Sequence, residues 1–183
     1  MTILWIILII VVAIIIYFFF EYNTLIRSRN KVEEAFSTMD VYLKRRWDMI
    51  PNLVEIVKGY ATHESQTLEE IAKLRTGSYN DFNDSQKVDV NQKLSEGITK
   101  LLAIVERYPD LKANDNFKQL SSELSIVEAD ITNARKYYNA TVRELNNEIE
   151  MFPSNLVANM FHFEKAKMFE IASEERNNVN IKF

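Results

Sequence analysis

The sequence has no cysteine, three glycines, three prolines and two histidines among 183 residues. Without cysteine there are no disulfides, thiolate metal sites, cysteine nucleophiles or lipid-bearing N-terminal cysteine. So little glycine and proline excludes turn-rich all-β folds and α/β enzymes built on glycine loops. Two histidines leave little for metal ligation or acid–base chemistry. A net charge of -4 speaks against nucleic acid as the main partner. The length suits one domain with a sizeable core.

What is present is unevenly spread. Ile3 to Phe20 is an unbroken apolar run of 18 residues, and the first charge is Glu21. As a helix the run rises about 27 Å, close to the roughly 30 Å hydrocarbon core of a bilayer. Ile3 and Phe20 bound it. Trp5 near one end and Tyr17 and Tyr22 near the other fit interfacial aromatic belts. A cleaved signal peptide would want a basic start, a shorter run and a small-residue cleavage site. Here Phe18, Phe19, Phe20, Glu21 and Tyr22 close the segment, so it reads as an uncleaved anchor over residues 1–22. Arg27, Arg29 and Lys31 follow it and no basic residue precedes it. The body is therefore expected on the cytoplasmic side of a membrane crossed once, with the opposite side as the alternative.

Residues 23–183 read as helices. Phe36, Leu43, Ile50, Val57 and Ile71 form one series, with Glu64 interrupting it. Val32, Met39, Arg46, Leu53 and Tyr60 form the other, giving a coiled-coil-like pattern over five heptads. One helix from Ile3 to Arg75, about 110 Å long, is expected, kinked by Pro51. A break with Pro51 opening a new helix is the alternative. Thr76–Asp81 reads as a turn, and Asp84 or Ser85 as the cap of a helix that ends before Pro109. Asn114 or Asp115 caps the next helix, which carries the series Phe117, Leu124, Ile131, Tyr138, Leu145 and Phe152 up to Pro153. A last helix runs from about Leu156 to Arg176, and the tail Val179–Phe183 is too short to assign. The expected fold is all-α: a transmembrane helix continuous or nearly so with an antiparallel up-and-down four-helix bundle. The neck after the anchor is an amphipathic stretch with two readings, packing against a partner or standing solvated.

The enzyme signatures are missing. A carboxylate-bridged metal site in a bundle needs Glu-x-x-His, but Tyr60 precedes His63 by three and Asn159 precedes His162 by three. His63-Glu64-Ser65-Gln66-Thr67 lacks the second histidine of a zinc protease motif, and no phosphate loop or nucleophile elbow occurs. No catalytic residue, metal or cofactor is expected. What stands out is charge in core register, at Arg46 and Glu64. A buried charge needs a partner, and Arg135 and Glu148 are the candidates from other helices. One reading is a register-fixing or intersubunit contact. The other, favoured, is that Arg46 snorkels over the core edge and Glu64 lies past the bundle's end. Lys44-Arg45-Arg46-Trp47 reads as a solvated face, with phosphate or lipid binding as the lesser alternative. Asn139-Ala140-Thr141 matches a glycosylation acceptor but falls inside a helix, so it reads as incidental.

Arg29-Asn30-Lys31-Val32, the run Asp40 to Glu55 containing Leu43-Lys44-Arg45-Arg46-Trp47-Asp48-Met49-Ile50-Pro51-Asn52-Leu53-Val54, and Val57-Lys58-Gly59-Tyr60-Ala61-Thr62-His63-Glu64 resemble the signature of the bacterial LemA family. So do Tyr22-Asn23, Ala134 to Asn139, Val142, Asn146, Ile149 and Phe152 to Ala158. Tyr42 and Met49 stand where that family often has Gln and Leu, both mild departures. The resemblance implies one N-terminal membrane helix, an antiparallel helical bundle and no known catalytic residue. Related proteins are associated with magnetosome membrane formation, and family genes often neighbour membrane proteases. The expected role is a non-enzymatic scaffold that contacts the bilayer through its anchor and self-associates as a homo-oligomer. An adaptor or regulator of another membrane protein, such as a protease, is the alternative.

Overall fold

A computed structural model describes residues 1–75 and 77–169, and among them all regular structure is helical. The elements are α1 (Thr2–Tyr60), α2 (Ser65–Lys73), α3 (Asp84–Val105), α4 (Pro109–Ala113), α5 (Asp115–Glu150) and α6 (Ser154–Met160). Two single 3-10 turns, Thr62–Glu64 and Tyr79–Asp81, precede α2 and α3. The all-α class read from periodicity holds, with α4 as a short addition.

The anchor and neck are one helix. α1 passes through the apolar run, the charged neck and Pro51 without interruption. It stops at Tyr60, so the expected helix to Arg75 is two helices. Gly59, a poor helix former, sits in the last turn. Ala61 leaves helical geometry at φ -113° and ψ 58° and is fully buried. The break was invisible to periodicity because the buried stripe resumes at Leu68 and Ile71 on α2. Asn83 caps α3 through a reciprocal capping box with Gln86, one residue earlier than expected. Asn114 caps α5 by accepting the Phe117 N–H at 3.0 Å.

The chain divides into two compact units. The division falls after Thr38 in α1 and before Ala134 in α5. The first unit comprises Met1–Thr38 and Ala134–Phe169. Its core joins Leu25 and Val32 of α1, Val142, Leu145 and Ile149 of α5, and Val157 and Ala158 of α6. Lys31 pairs with Glu144, and the Phe36 and Tyr138 rings meet at 5.7 Å, so here α1 and α5 run antiparallel. The neck is therefore covered by its own chain.

α6 ends at Met160, short of the expected Arg176; the part of that expectation beyond residue 169, and the tail Val179–Phe183, lie outside the described residues. The chain turns at His162, in the left-handed region at φ 55°, and continues as an extended strap over 163–169. Two asparagines of α5 hold the strap. Asn146 pairs with both backbone groups of Ala166 at 3.0 Å, and Asn139 with both of Phe169 at 3.0 and 2.8 Å. The Tyr138 hydroxyl donates to the Lys167 carbonyl.

The second unit holds residues 39–133. Ile71 and Leu74 lie 3.3 and 3.5 Å from where a Cβ on Gly97 would be, so α2 and α3 approach closely through that glycine. Trp47 is buried against Tyr79 and Phe82, with the Arg75 guanidinium over its indole ring.

Candidate functional site

Arg46 is the one charged residue fully enclosed among the described residues, at 1% exposure, and the second unit is built around it. The reading that it snorkels is overturned. Its position between Met39 and Leu53 faces the core, and every guanidinium donor finds a partner there. Nε and Nη2 fork onto the Asn91 side-chain oxygen at 3.3 and 2.9 Å, and Nη2 also donates to the Asn91 carbonyl at 2.7 Å. Nη1 donates to Ser95 at 2.9 Å and to both Glu128 oxygens at 2.9 and 3.0 Å. Asn91 donates back to the Lys87 carbonyl, and the Ser95 hydroxyl to the Asn91 carbonyl. One side chain thus joins α1, α3 and α5.

A second cluster adjoins it. Asp40 accepts the Tyr79 hydroxyl and the Lys87 ammonium, each at 2.7 Å, and Lys87 lies over the Tyr79 ring. Burial pushes the Tyr79 phenol far above its ordinary range, and the hydrogen bond to Asp40 and that carboxylate's charge add to the rise. The signs balance here: Arg46 against Glu128, Lys87 against Asp40. With each donor of Arg46 engaged inside the chain, the arrangement ties α1, α3 and α5 together. Among the described residues no group of three or more His, Asp or Glu could hold a metal.

The other residues singled out by sequence lie elsewhere. Glu64 sits in the 3-10 turn after α1 and pairs with Arg107 at 3.0 Å, so its partner is not Arg135. Arg135 stacks over the Phe169 ring at 4.6 Å, at the end of the strap. Glu148 faces Ser28, with one carboxylate oxygen buried. Burial raises its pKa, the Ser28 hydroxyl opposes this, and the Glu144 charge adds to the rise. Ile3, Trp5 and Phe20 project outward along the anchor at 71, 62 and 66% exposure, while Tyr17 is half-buried beside Phe18. The Lys44–Trp47 cluster is not one face. Lys44 pairs with Asp48 at the surface, whereas Arg46 and Trp47 are buried.

Sequence reasoning missed Asn91, Ser95 and Glu128, and it named Asn139 and Asn146 within the family signature without their role in holding the strap. Asn91 carried a signal of the same kind as Arg46, a polar residue at helical spacing between Val88 and Leu94. Asn139 and Asn146 are seven apart on α5 and flank its apolar stripe.

The LemA family pattern matches residues 35–183, most of the chain, including Arg46, Asn91, Ser95 and Glu128. The chain belongs to the LemA family. It is 28% identical to Protein LemA of Metamycoplasma hominis over 159 residues, covering 86% of this chain and 73% of that protein. It is 25% identical to Magnetosome protein MamQ 2 of Paramagnetospirillum magneticum over 175 residues, and 22% to Magnetosome protein MamQ of Magnetospirillum gryphiswaldense over 174 residues. The chain spans slightly less than two thirds of each MamQ protein's length. Among the described residues it carries one helix long and apolar enough to cross a membrane, with a window of mean hydropathy 3.3 in which no residue is buried. This LemA-family chain is a membrane-associated helical protein.

Glu148 gives a pH test. Its raised pKa means the folded state holds the proton more tightly than the unfolded state. The stabilisation from the protonated group is complete below its ordinary 4.5 and is lost as pH rises through the folded value. Glu148→Gln should therefore unfold at higher urea than the parent at pH 7. The gap should close as pH falls toward 4.5, followed by circular dichroism in detergent; a gap constant with pH contradicts the assignment.

Proposed function

We propose that the chain is a non-enzymatic, single-pass scaffold at the bacterial inner membrane, with its body on the cytoplasmic side and copies associating side by side. One observation carries the non-enzymatic part. The fully buried charge is consumed in holding α1, α3 and α5 together, with each guanidinium donor satisfied internally. Buried polar groups at catalytic sites keep an atom for the substrate, and this one keeps none.

The relatives named as magnetosome proteins support a role in organising membrane. The continuity of α1 through the anchor supports an uncleaved segment. Arg27, Arg29 and Lys31 just after it support the cytoplasmic orientation. With the neck occupied by α5 and α6, self-association falls to the anchor helix, whose residues up to Ile16 are exposed within the chain. Anchoring confines copies to one plane and one orientation, which raises their effective concentration.

Crosslinking in native membranes, followed by mass photometry in mild detergent, should show dimers or larger assemblies. Monomer alone contradicts self-association, and capture of a different membrane protein with no self-pairing moves the reading to an adaptor. A topology reporter fused after Phe183 should be active in the cytoplasm; a periplasmic signal overturns the orientation.

A further inference from the structure

The turn between α5 and α6 exposes apolar surface where a soluble surface would carry charge. From Met151 to Phe161 no residue is charged. Met151, Phe152, Leu156, Met160 and Phe161 are 61, 78, 51, 59 and 50% exposed. Leu156 and Met160 are four apart on α6 and share one side, Phe152 is exposed in the turn before it, and Val157 and Ala158 on the helix's other side are fully buried in the first unit's core. α6 is thus apolar both inward and outward, which burial against its own chain alone does not require.

Its position says what covers the outer side. The Phe161 ring lies 4.7 Å from the Tyr22 ring, and Phe163 lies 6.0 Å from the same ring. Phe18 and Tyr22 both pack on the cluster that contains Val157 and Ala158. The last turn of the lipid-spanning run, ending at Phe20, is therefore beside α6. The two apolar surfaces are continuous at the depth where the anchor leaves the bilayer. Glu150 and Lys165 pair with each other at the edge of the patch, so no unpaired charge from them opposes burial there.

We propose that the α5–α6 turn is a second membrane contact, in which Phe152, Leu156 and Met160 enter the boundary between headgroups and acyl chains. Together with the anchor it fixes the tilt and rotation of the first unit on the bilayer. A helix lying in the interface keeps its backbone hydrogen bonds internal and gains from burying its apolar side, and α6 meets both conditions. The ligand is the lipid surface itself, needing no specific headgroup, since the patch is uncharged. The proposal rests on the anchor spanning the bilayer.

The absence of cysteine makes a labelling test unambiguous. Full-length chains carrying Phe152→Cys, Leu156→Cys or Met160→Cys, with Tyr137→Cys as a solvent-exposed control on α5 and Ile10→Cys in the anchor, are spin-labelled. They are reconstituted in vesicles of phosphatidylethanolamine and phosphatidylglycerol. The ratio of oxygen to nickel-chelate collision rates should be several-fold higher at 152, 156 and 160 than at 137, and highest at 10. A ratio at the three tip positions equal to that at 137 overturns the second contact while the anchor stands. A low ratio at 10 overturns the anchor reading itself. Spin–spin broadening at the tip that disappears on dilution with unlabelled chain assigns the patch to a second copy and overturns the lipid contact.

Discussion

An ionised guanidinium in a protein interior has no low-energy alternative to being fully hydrogen-bonded. Arginine does not shed its proton at any accessible pH, and an unpaired buried charge costs several kcal/mol. Arg46 meets this constraint with groups from α3 and α5, and in doing so fixes the register of three helices in the second unit. An apolar contact tolerates slippage by a turn. A forked pair of bonds onto Asn91, closed on the other side by Glu128, does not. The neighbouring Asp40, Tyr79 and Lys87 add a second fixed point six residues earlier on α1.

The first unit solves a different problem with neutral amides. An extended segment laid along a helix has no ladder partner for its backbone groups. Asn139 and Asn146 supply one each, as a neighbouring strand would. The spacing is geometrically apt: seven residues of helix rise about 10.5 Å, and three residues of extended chain advance about 10 Å. Phe169 and Ala166 are three apart and run opposite to α5, so both pairs close together. With Arg135 stacked on Phe169, the strap covers α5 where a longer α6 was expected.

Periodicity made most of the helices legible. The stripe Val32, Met39, Leu43, Ile50, Leu53 and Val57 is buried as the heptads require. The caps near Asn83 and Asn114 came within a residue or two, because side-chain capping is a local chemistry. The misses share a cause. The break at Tyr60, the burial of Arg46 and the strap all depend on what other segments supply, and spacing along one helix carries no record of that. Arg46 was visible as an anomaly, but only the arrival of Asn91 and Glu128 decides between a core position and a snorkelling edge. The strap could not be read at all, since 163–169 has no strand alternation and its bonds come from α5.

The central claim is that the Arg46–Glu128 contact holds the second unit together as a structural lock. A double-mutant cycle with Arg46→Met and Glu128→Gln, read by urea unfolding of the full chain in detergent, tests it directly. Because the two side chains form a charge-assisted pair with Arg46 buried, the account predicts strong non-additivity, a coupling of about 1–3 kcal/mol. Additive losses within about 0.5 kcal/mol would show the two residues acting independently and would contradict the account.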